Sequence, residues 1–242
     1  MPEAKIIRIG GKSTAADTDI MSHMRRLLAQ LGLSSDSETV EPGVPSLLRR
    51  ALANGLRSCN VIVVLGAYGH YGIGGAKETI FKALELPFVP DPQIQQRILH
   101  FAKQQHITLS PELEALWMLP QGAEPFPAEN GVDSGFAISA GGQCILMLPS
   151  SPESFHRMAV QYALPYLARF FGLEAVFHCI SCFGMNQGAI CDELYGDILK
   201  DQLPTVFPTS SRNNLETQLW ISACAASAQQ AEEICQPVIL RI

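Results

Sequence analysis

No run of apolar residues in this 242-residue chain approaches the ~20 that a membrane-spanning helix requires. The N-terminus is equally poor in leader features. Met-Pro-Glu-Ala-Lys leads directly into Ile6-Ile-Arg-Ile9, without a basic n-region, an apolar core or a cleavage site. The chain therefore reads as cytoplasmic, with no membrane partner. Basic residues are scarce: 17 Lys and Arg against 23 Asp and Glu leave a net charge of −6, which argues against a nucleic-acid surface built on bulk charge. Charged residues amount to 17% and hydrophobic ones to 47%, the balance of a well-packed globular protein of one large domain or two modest ones. The seven cysteines are an odd number and read as reduced thiols rather than a disulfide framework. Internal repeats and low-complexity segments are also lacking.

What the chain does have is one stretch around which the rest is organised, Val61-Ile-Val-Val-Leu-Gly-Ala-Tyr-Gly-His-Tyr-Gly-Ile-Gly-Gly-Ala-Lys77. Its five leading apolar residues predict a strand buried on both faces. Glycines follow at 66, 69, 72, 74 and 75, and Ala76–Leu84 then reads as a helix. Strand, glycine loop and helix together aim backbone N–H groups and a helix N-terminus at an anion. The spacing matches neither G-x-G-x-x-G nor the P-loop signature. A tight strand-to-helix turn needing positive φ explains some of these glycines, but five in ten residues exceed what a turn requires. Tyr68 and His70 are the loop side chains with obvious chemistry, and Lys77 stands in the first helical turn.

Around this centre, the pattern alternates. A strand at Ile6–Ile9 ends in Gly10-Gly11, and a helix runs from Ile20 to Leu31 with Asp17 and Thr18 as cap candidates. A weak strand spans Ser35–Val40, and a helix from Ser46 to Arg57 follows Pro45. The alternation predicts an α/β domain with a mostly parallel sheet, whose ligands sit beyond the carboxyl ends of the strands. Further helices are predicted over Pro90–Gln105, started by Asp91-Pro92 as cap and first residue, and over Pro111–Leu119, with Gly122–Gly135 irregular. A hairpin is predicted across Ala140-Gly-Gly142, and a helix from Ser154 to Phe171. Before that last helix, Ser150, Ser151 and Glu153 serve equally as caps or as a site facing the glycine loop. Beyond Gly172 the texture changes to strand 175–182, helix 185–199, strand 219–225, a short helix from Ala228, and a possible strand 238–242. The expected division is 1–170 and 171–242, the second part a small α+β module.

The series resembles the CinA (competence/damage-inducible) family, whose N-terminal domain has the three-layer α/β/α molybdopterin-binding fold of the MogA and MoaB proteins. Ile6-Ile-Arg-Ile-Gly10, Asp17-Thr18-Asp19, Leu28-Ala-Gln-Leu-Gly32 and Val61-Ile-Val-Val carry the resemblance. So do Lys77-Glu-Thr-Ile, Trp117-Met-Leu-Pro-Gln-Gly-Ala123, Gly135-Phe-Ala-Ile and Ile145-Leu-Met-Leu-Pro149. Phe183-Gly-Met185 and Leu219-Trp-Ile-Ser-Ala223 are similar to the small KH-like module that follows in that family. Where the family has a Thr and paired Asp, this loop has His70-Tyr-Gly-Ile-Gly-Gly75. No Asp or Glu stands between Leu65 and Lys77 to hold a divalent cation. The family's Glu-Ser in the small module is Gln187-Gly188 here, and the amidase domain of larger members is not expected.

The resemblance implies a molybdopterin- or nucleotide-phosphate-binding protein with a degenerate metal site. Its ligand would be a small anion, and the chain a homo-oligomer. The candidate ligand-binding residues are Gly10, Gly11, Gly66, Tyr68, Gly69, His70, Gly72, Gly74, Gly75, Lys77, Ser150 and Ser151. No cofactor is certain. Mg2+ or a pterin or nucleotide are the candidates, and Asp17, Asp19 and Glu153 are the weak metal candidates. Two alternatives stay open: a metal-dependent pyrophosphatase of the ADP-ribose type, and a non-catalytic oligomeric interaction protein. The Cys179-x-x-Cys182 pair lies in a strand-like segment, where residues three apart point to opposite faces, and reads as structural thiols.

Overall fold

The structure, a computed structural model, describes residues 3–66, 76–128, 131–194, 203–210 and 216–241. Strands and helices alternate first: β1 (Glu3–Ile9), α1 (Ala15–Gln30), β2 (Ser34–Val40), α2 (Pro45–Ser58), β3 (Val61–Gly66) and α3 (Ala76–Leu84). Then come β4 (Phe88–Pro90), α4 (Pro92–Gln104), α5 (Pro111–Glu114), β5 (Met118–Pro120), β6 (Glu124–Phe126), β7 (Gly135–Ala140) and β8 (Gln143–Pro149). A helix α6 (Pro152–Met158) runs through a π-helical turn at Ala159–Ala163 into α7 (Leu164–Phe170). The chain continues with β9 (Glu174–Phe183), α8 (Gln187–Leu194), β10 (Thr205–Ser210), β11 (Glu216–Ala225) and α9 (Ala228–Ile239).

The chain packs as two compact units, Met1–Thr18 with Ser34–Met158, and Asp19–Leu33 with Ala159–Ile242. The first is a mixed α/β unit around a six-stranded sheet of order β2-β1-β3-β8-β7-β6. Its first four strands are parallel, β7 alone runs against them, and β6, antiparallel to β7, restores the common direction. As the unbroken apolar run predicts, Val61 to Leu65 are each at most 1% exposed. On one face Ile7, Ile62, Val64, Ile145 and Met147 form a core with Leu52 of α2, Ile80 of α3, and Ile94 and Ile98 of α4. The β7–β8 hairpin turns at Gly141 and Gly142, both at positive φ, the conformation that a two-residue turn with matching twist demands.

The second unit holds a three-stranded antiparallel sheet of order β10-β11-β9. On one side Val206, Ile221, Ala223, Ala231 and Cys235 make a small core with α9. On the other, the His23 ring stacks on Phe207 at 4.0 Å and 3°. Gln30 Nε2 donates to Thr205 Oγ1 and, at 3.3 Å, to Ser222 Oγ. These contacts explain why residues 19–33 pack here rather than with the sequence around them. Along the chain the units change at Thr18/Asp19, Leu33/Ser34 and Met158/Ala159.

Several boundaries differ from the sequence expectation. The last turn of chain, expected as a strand from Val238, continues α9 to Ile239 with Pro237 inside it. Pro90, expected within the helix, instead ends β4, while Asp91 and Pro92 are the predicted cap and first residue of α4, with the Asp91 carboxylate accepting from Ile94 N at 2.8 Å. The helix expected over Pro111–Leu119 is α5 plus a 3-10 turn, Ala115–Trp117, after which Met118–Pro120 pair with β4. The segment expected as irregular contains β6. β10 was not anticipated, because Pro208 argues against a strand; as an edge strand it tolerates a residue without an N–H.

Candidate functional site

Strand order places the site region. β1 leads through α1 to β2 on one side, while β2 leads through α2 to β3 on the other side of β1. The chain leaving β1 thus goes to β2, whereas the chain leaving β3 re-enters the sheet on the other side, at β6, β7 and β8, which makes the carboxyl end between β1 and β3 a switch point, where such sheets bind ligands. Gly10 and Gly11 follow β1, Gly66 closes β3, and Gly66 pairs with Pro149, so Ser150 and Ser151 follow β8 at the same edge. Tyr68, Gly69, His70, Gly72, Gly74 and Gly75 lie outside the described residues.

Two of the candidate glycines have packing explanations. A Cβ on Gly66 would stand 2.9 Å from Ile9 Cδ1, so glycine lets β3 approach the Ile9 side chain. A Cβ on Gly10 would stand 2.5 Å from Arg8 Nη1. That arginine is a site-edge residue the sequence reading passed over. It is 6% exposed, its Nη2 donates to Gly11 O at 2.5 Å, and its Nη1 lies 3.3 Å from Asp17 Oδ1. The signal for it was visible: one charged residue inside the Ile6–Ile9 strand has to bring its own partners to be buried.

The sequence reading expects Asp17 as an N-cap, but it stands inside the helix. α1 starts at Ala15, and the Thr14 hydroxyl caps it by accepting from Asp17 N. Asp17 Oδ2 accepts from Thr14 N and Thr14 Oγ1, each at 2.8 Å, while Asp17 N donates to Thr14 Oγ1 at 3.2 Å. This is the reciprocal capping box of a Thr-x-x-acid start. Burial pushes the Asp17 carboxyl up, but the Thr14 bonds and the Arg8 charge outweigh it and hold the carboxyl below its ordinary range. Asp19 belongs to the second unit, where its charge helps to raise the Cys191 thiol after burial, the larger cause. Glu153 lies exposed in the first turn of α6. Among the described residues no three His, Cys, Asp or Glu side chains converge as metal ligands. The Asp17 carboxylate is already engaged by Thr14 and Arg8.

Lys77 reaches away to a structural partner. Its Nζ donates to the Leu116 carbonyl at 2.6 Å, tying the first turn of α3 to the turn before β5. The residue keeps some exposed surface, but its terminal amine is enclosed, and burial lowers its pKa to about 7 against the opposing pull of Asp91. Ser151 contributes its carbonyl, which accepts from Phe155 N at 2.9 Å and seats the start of α6. Cys179 and Cys182 fall on opposite faces of β9, one exposed and one half-buried. Burial pushes the Cys144 and Cys224 thiols up to about 12 and Cys235 to about 11, which makes them packing residues rather than nucleophiles.

With this geometry in view, the likeness to known proteins is specific. A CinA-like protein of Nostoc punctiforme is 26% identical over 240 residues, 97% of this chain and 57% of that one. The chain is similar to the CinA-like proteins over nearly its whole length. A putative competence-damage inducible protein of Moorella thermoacetica is 26% identical over 211 residues, 86% of this chain and 50% of that one. The chain thus spans about half the length of the curated relatives it matches. No family model matches it. Among solved structures, the CinA protein of unknown function from Thermoplasma acidophilum shares the fold. It has a TM-score of 0.54 at 16% identity and covers 65% of this chain and 93% of that one.

Proposed function

We propose that this CinA-like chain binds a small anionic ligand, a molybdopterin or a nucleotide phosphate, at the carboxyl edge of its parallel sheet. The observation that carries the reading is the switch point between β1 and β3, from which the glycine-rich segment 66–75 leads into α3. Backbone N–H groups and the α3 N-terminus are the donors, and the helix end contributes about 0.3–1 kcal/mol toward an anion. Ser150 and Ser151 supply hydroxyls from the end of β8. Similarity to CinA-like proteins and the expected fold of the MogA and MoaB proteins support the pterin or nucleotide class.

The reading includes weak or no metal-dependent hydrolysis. Cleaving a pyrophosphate calls for charge neutralisation and an activated water, commonly supplied by a bound metal. Segment 66–76 has no carboxylate, and Asp17 is engaged. The protein acts as a homo-oligomer in this reading.

Calorimetry with ADP-ribose, AMP and a molybdopterin analogue, each with and without Mg2+, tests it. Binding that does not need Mg2+ is expected, and Gly74→Val or Gly75→Val should weaken it, because a β-branched side chain hinders an anion's approach to the backbone. Rapid Mg2+-dependent release of AMP from ADP-ribose would favour the pyrophosphatase alternative instead. No binding of any anion, with wild-type behaviour of both variants, would remove the site.

A further inference from the structure

The turn from β1 to α1 is pinned at both ends. Gly10 N donates to Val40 O at 3.1 Å, and Thr14 N donates to Asp17 Oδ2 at 2.8 Å. Between these points the chain runs exposed through Gly11, Lys12 and Ser13. The Arg8 side chain, only 8% exposed, lies against the inner side of the turn. Its Nη2 donates to Gly11 O at 2.5 Å, and its Nη1 lies 3.3 Å from Asp17 Oδ1. Glycine at position 10 leaves room for the guanidinium, because a Cβ there would stand 2.5 Å from Nη1.

Capturing the Gly11 carbonyl also orients the next donor. The Gly11–Lys12 peptide is trans; the cis bond among the described residues is Leu203–Pro204. In a planar trans peptide the C=O and the following N–H point in opposite directions. With the Gly11 carbonyl turned in to a buried guanidinium, the Lys12 N–H is turned out to the exposed side of the turn. The same contact takes from that side a carbonyl that would repel an anion. Lys12 brings a full positive charge at the same residue, while the charge of Arg8 is met by Asp17.

Stability alone does not account for the buried pair. Replacing a buried ion pair by apolar residues of similar volume is often neutral or stabilising. The other buried residues of β1, Ala4, Ile6 and Ile7, are apolar. What Arg8 provides that an apolar side chain does not is a fixed orientation of the turn.

We propose that Arg8 is a positioning residue for the anion site: it holds the Gly11–Lys12 peptide so that the Lys12 N–H, with the Lys12 ammonium, receives a phosphate group at the carboxyl end of β1. Arg8 acts through the turn and does not touch the ligand. Donors fixed beforehand bind without the cost of ordering them. Arginine suits the task because its planar fork reaches Gly11 O and Asp17 together, whereas an ammonium is a single point. The inference rests on the anion-binding reading of this edge and adds Lys12 to it.

AMP is the probe, followed by calorimetry and by amide proton–nitrogen spectra of the full chain. For the wild type, AMP is expected to bind saturably and to shift the Lys12 amide resonance. Arg8→Met combined with Asp17→Asn removes both charges and keeps an acceptor at position 17 for Thr14 N. This variant should melt close to the wild type and bind AMP about tenfold or more weakly, the worth of one hydrogen bond to a charged acceptor. Its Lys12 resonance should no longer respond. Arg8→Lys keeps the charge beside Asp17 but not the fork; it should also weaken AMP binding, and it decides the matter if the double variant does not fold. AMP binding that leaves the wild-type Lys12 amide unmoved, or folded variants that bind AMP as the wild type does, would overturn the role of Arg8 and leave the site standing. No binding of AMP, ADP-ribose or inorganic phosphate by the wild type would overturn the site, and the role of Arg8 with it.

Discussion

Arg8 and Asp17 meet at 3.3 Å, and their pairing joins the end of β1 to the first turn of α1. The side chains are 8% and 18% exposed, so neither charge is well hydrated without the other. Asp17→Asn should lower unfolding free energy by about 1–3 kcal/mol, from a weakened capping box and a buried cation left without its counter-charge. The pH dependence has a definite sign. The folded-state pKa of Asp17 lies below its unfolded value, so its contribution is complete above about pH 4 and lost as pH falls through the folded value. Urea denaturation from pH 7 down to pH 2 should show this acid-side loss in the wild type and less of it in Asp17→Asn. Gly10→Ala pushes on the same guanidinium, so its effect should not add to that of Asp17→Asn; a double-mutant cycle is expected to give a coupling of about 0.5 kcal/mol or more.

Lys77 gives the opposite slope. Burial lowers its pKa to about 7, while in the unfolded chain it titrates at its ordinary value near 10.5. Between those values the unfolded state binds a proton that the folded state does not, so stability should rise with pH across that window. Lys77→Met should flatten this rise. The difference in unfolding free energy, wild type minus variant, is expected to become more favourable to the wild type from pH 6.5 to pH 9. A difference constant with pH would show that the amine keeps its ordinary affinity for a proton.

Gly131 and Gly122 separate two costs of replacing glycine. Both have positive φ, +74° and +85°. A Cβ on Gly122 meets nothing within 4 Å, whereas one on Gly131 would stand 2.8 Å from the backbone N of Ile98 and 2.7 Å from its Cγ1. Gly122→Ala should cost about 1–2 kcal/mol, the penalty of a left-handed conformation. Gly131→Ala should cost distinctly more, because the backbone of α4 cannot yield as a side-chain tip can. Thermal unfolding of the two variants side by side checks the order.

The parallel half of the fold was legible because its signals are local. Val61 to Leu65 form an uninterrupted apolar run that only a doubly covered strand can bury, and Gly141-Gly142 is a two-residue turn in plain form. Asp91-Pro92 likewise marks a helix start whose cap bond is present at 2.8 Å. Less legible were elements whose identity depends on a distant neighbour. Met118–Pro120 is a strand only because Phe88–Pro90 pair with it, and Thr205–Ser210 is a strand despite Pro208 because it lies at an edge.

The sequence by itself determined which residues are apolar, where glycine and proline interrupt them, and hence the alternation that yields a mostly parallel sheet with its carboxyl edge near Gly10, Gly66 and Ser150. Those are properties of neighbours along the chain, set by side-chain period and backbone freedom. Only the tertiary structure decided what the polar residues do there. Lys77 turns to a carbonyl 39 residues away, Asp17 is claimed by Thr14 and Arg8, and residues 19–33 pack with strands beyond residue 200. The physical reason is that burying a charge or a helix face is settled by whichever partner the folded chain brings within reach, and that partner leaves no periodic trace in the sequence.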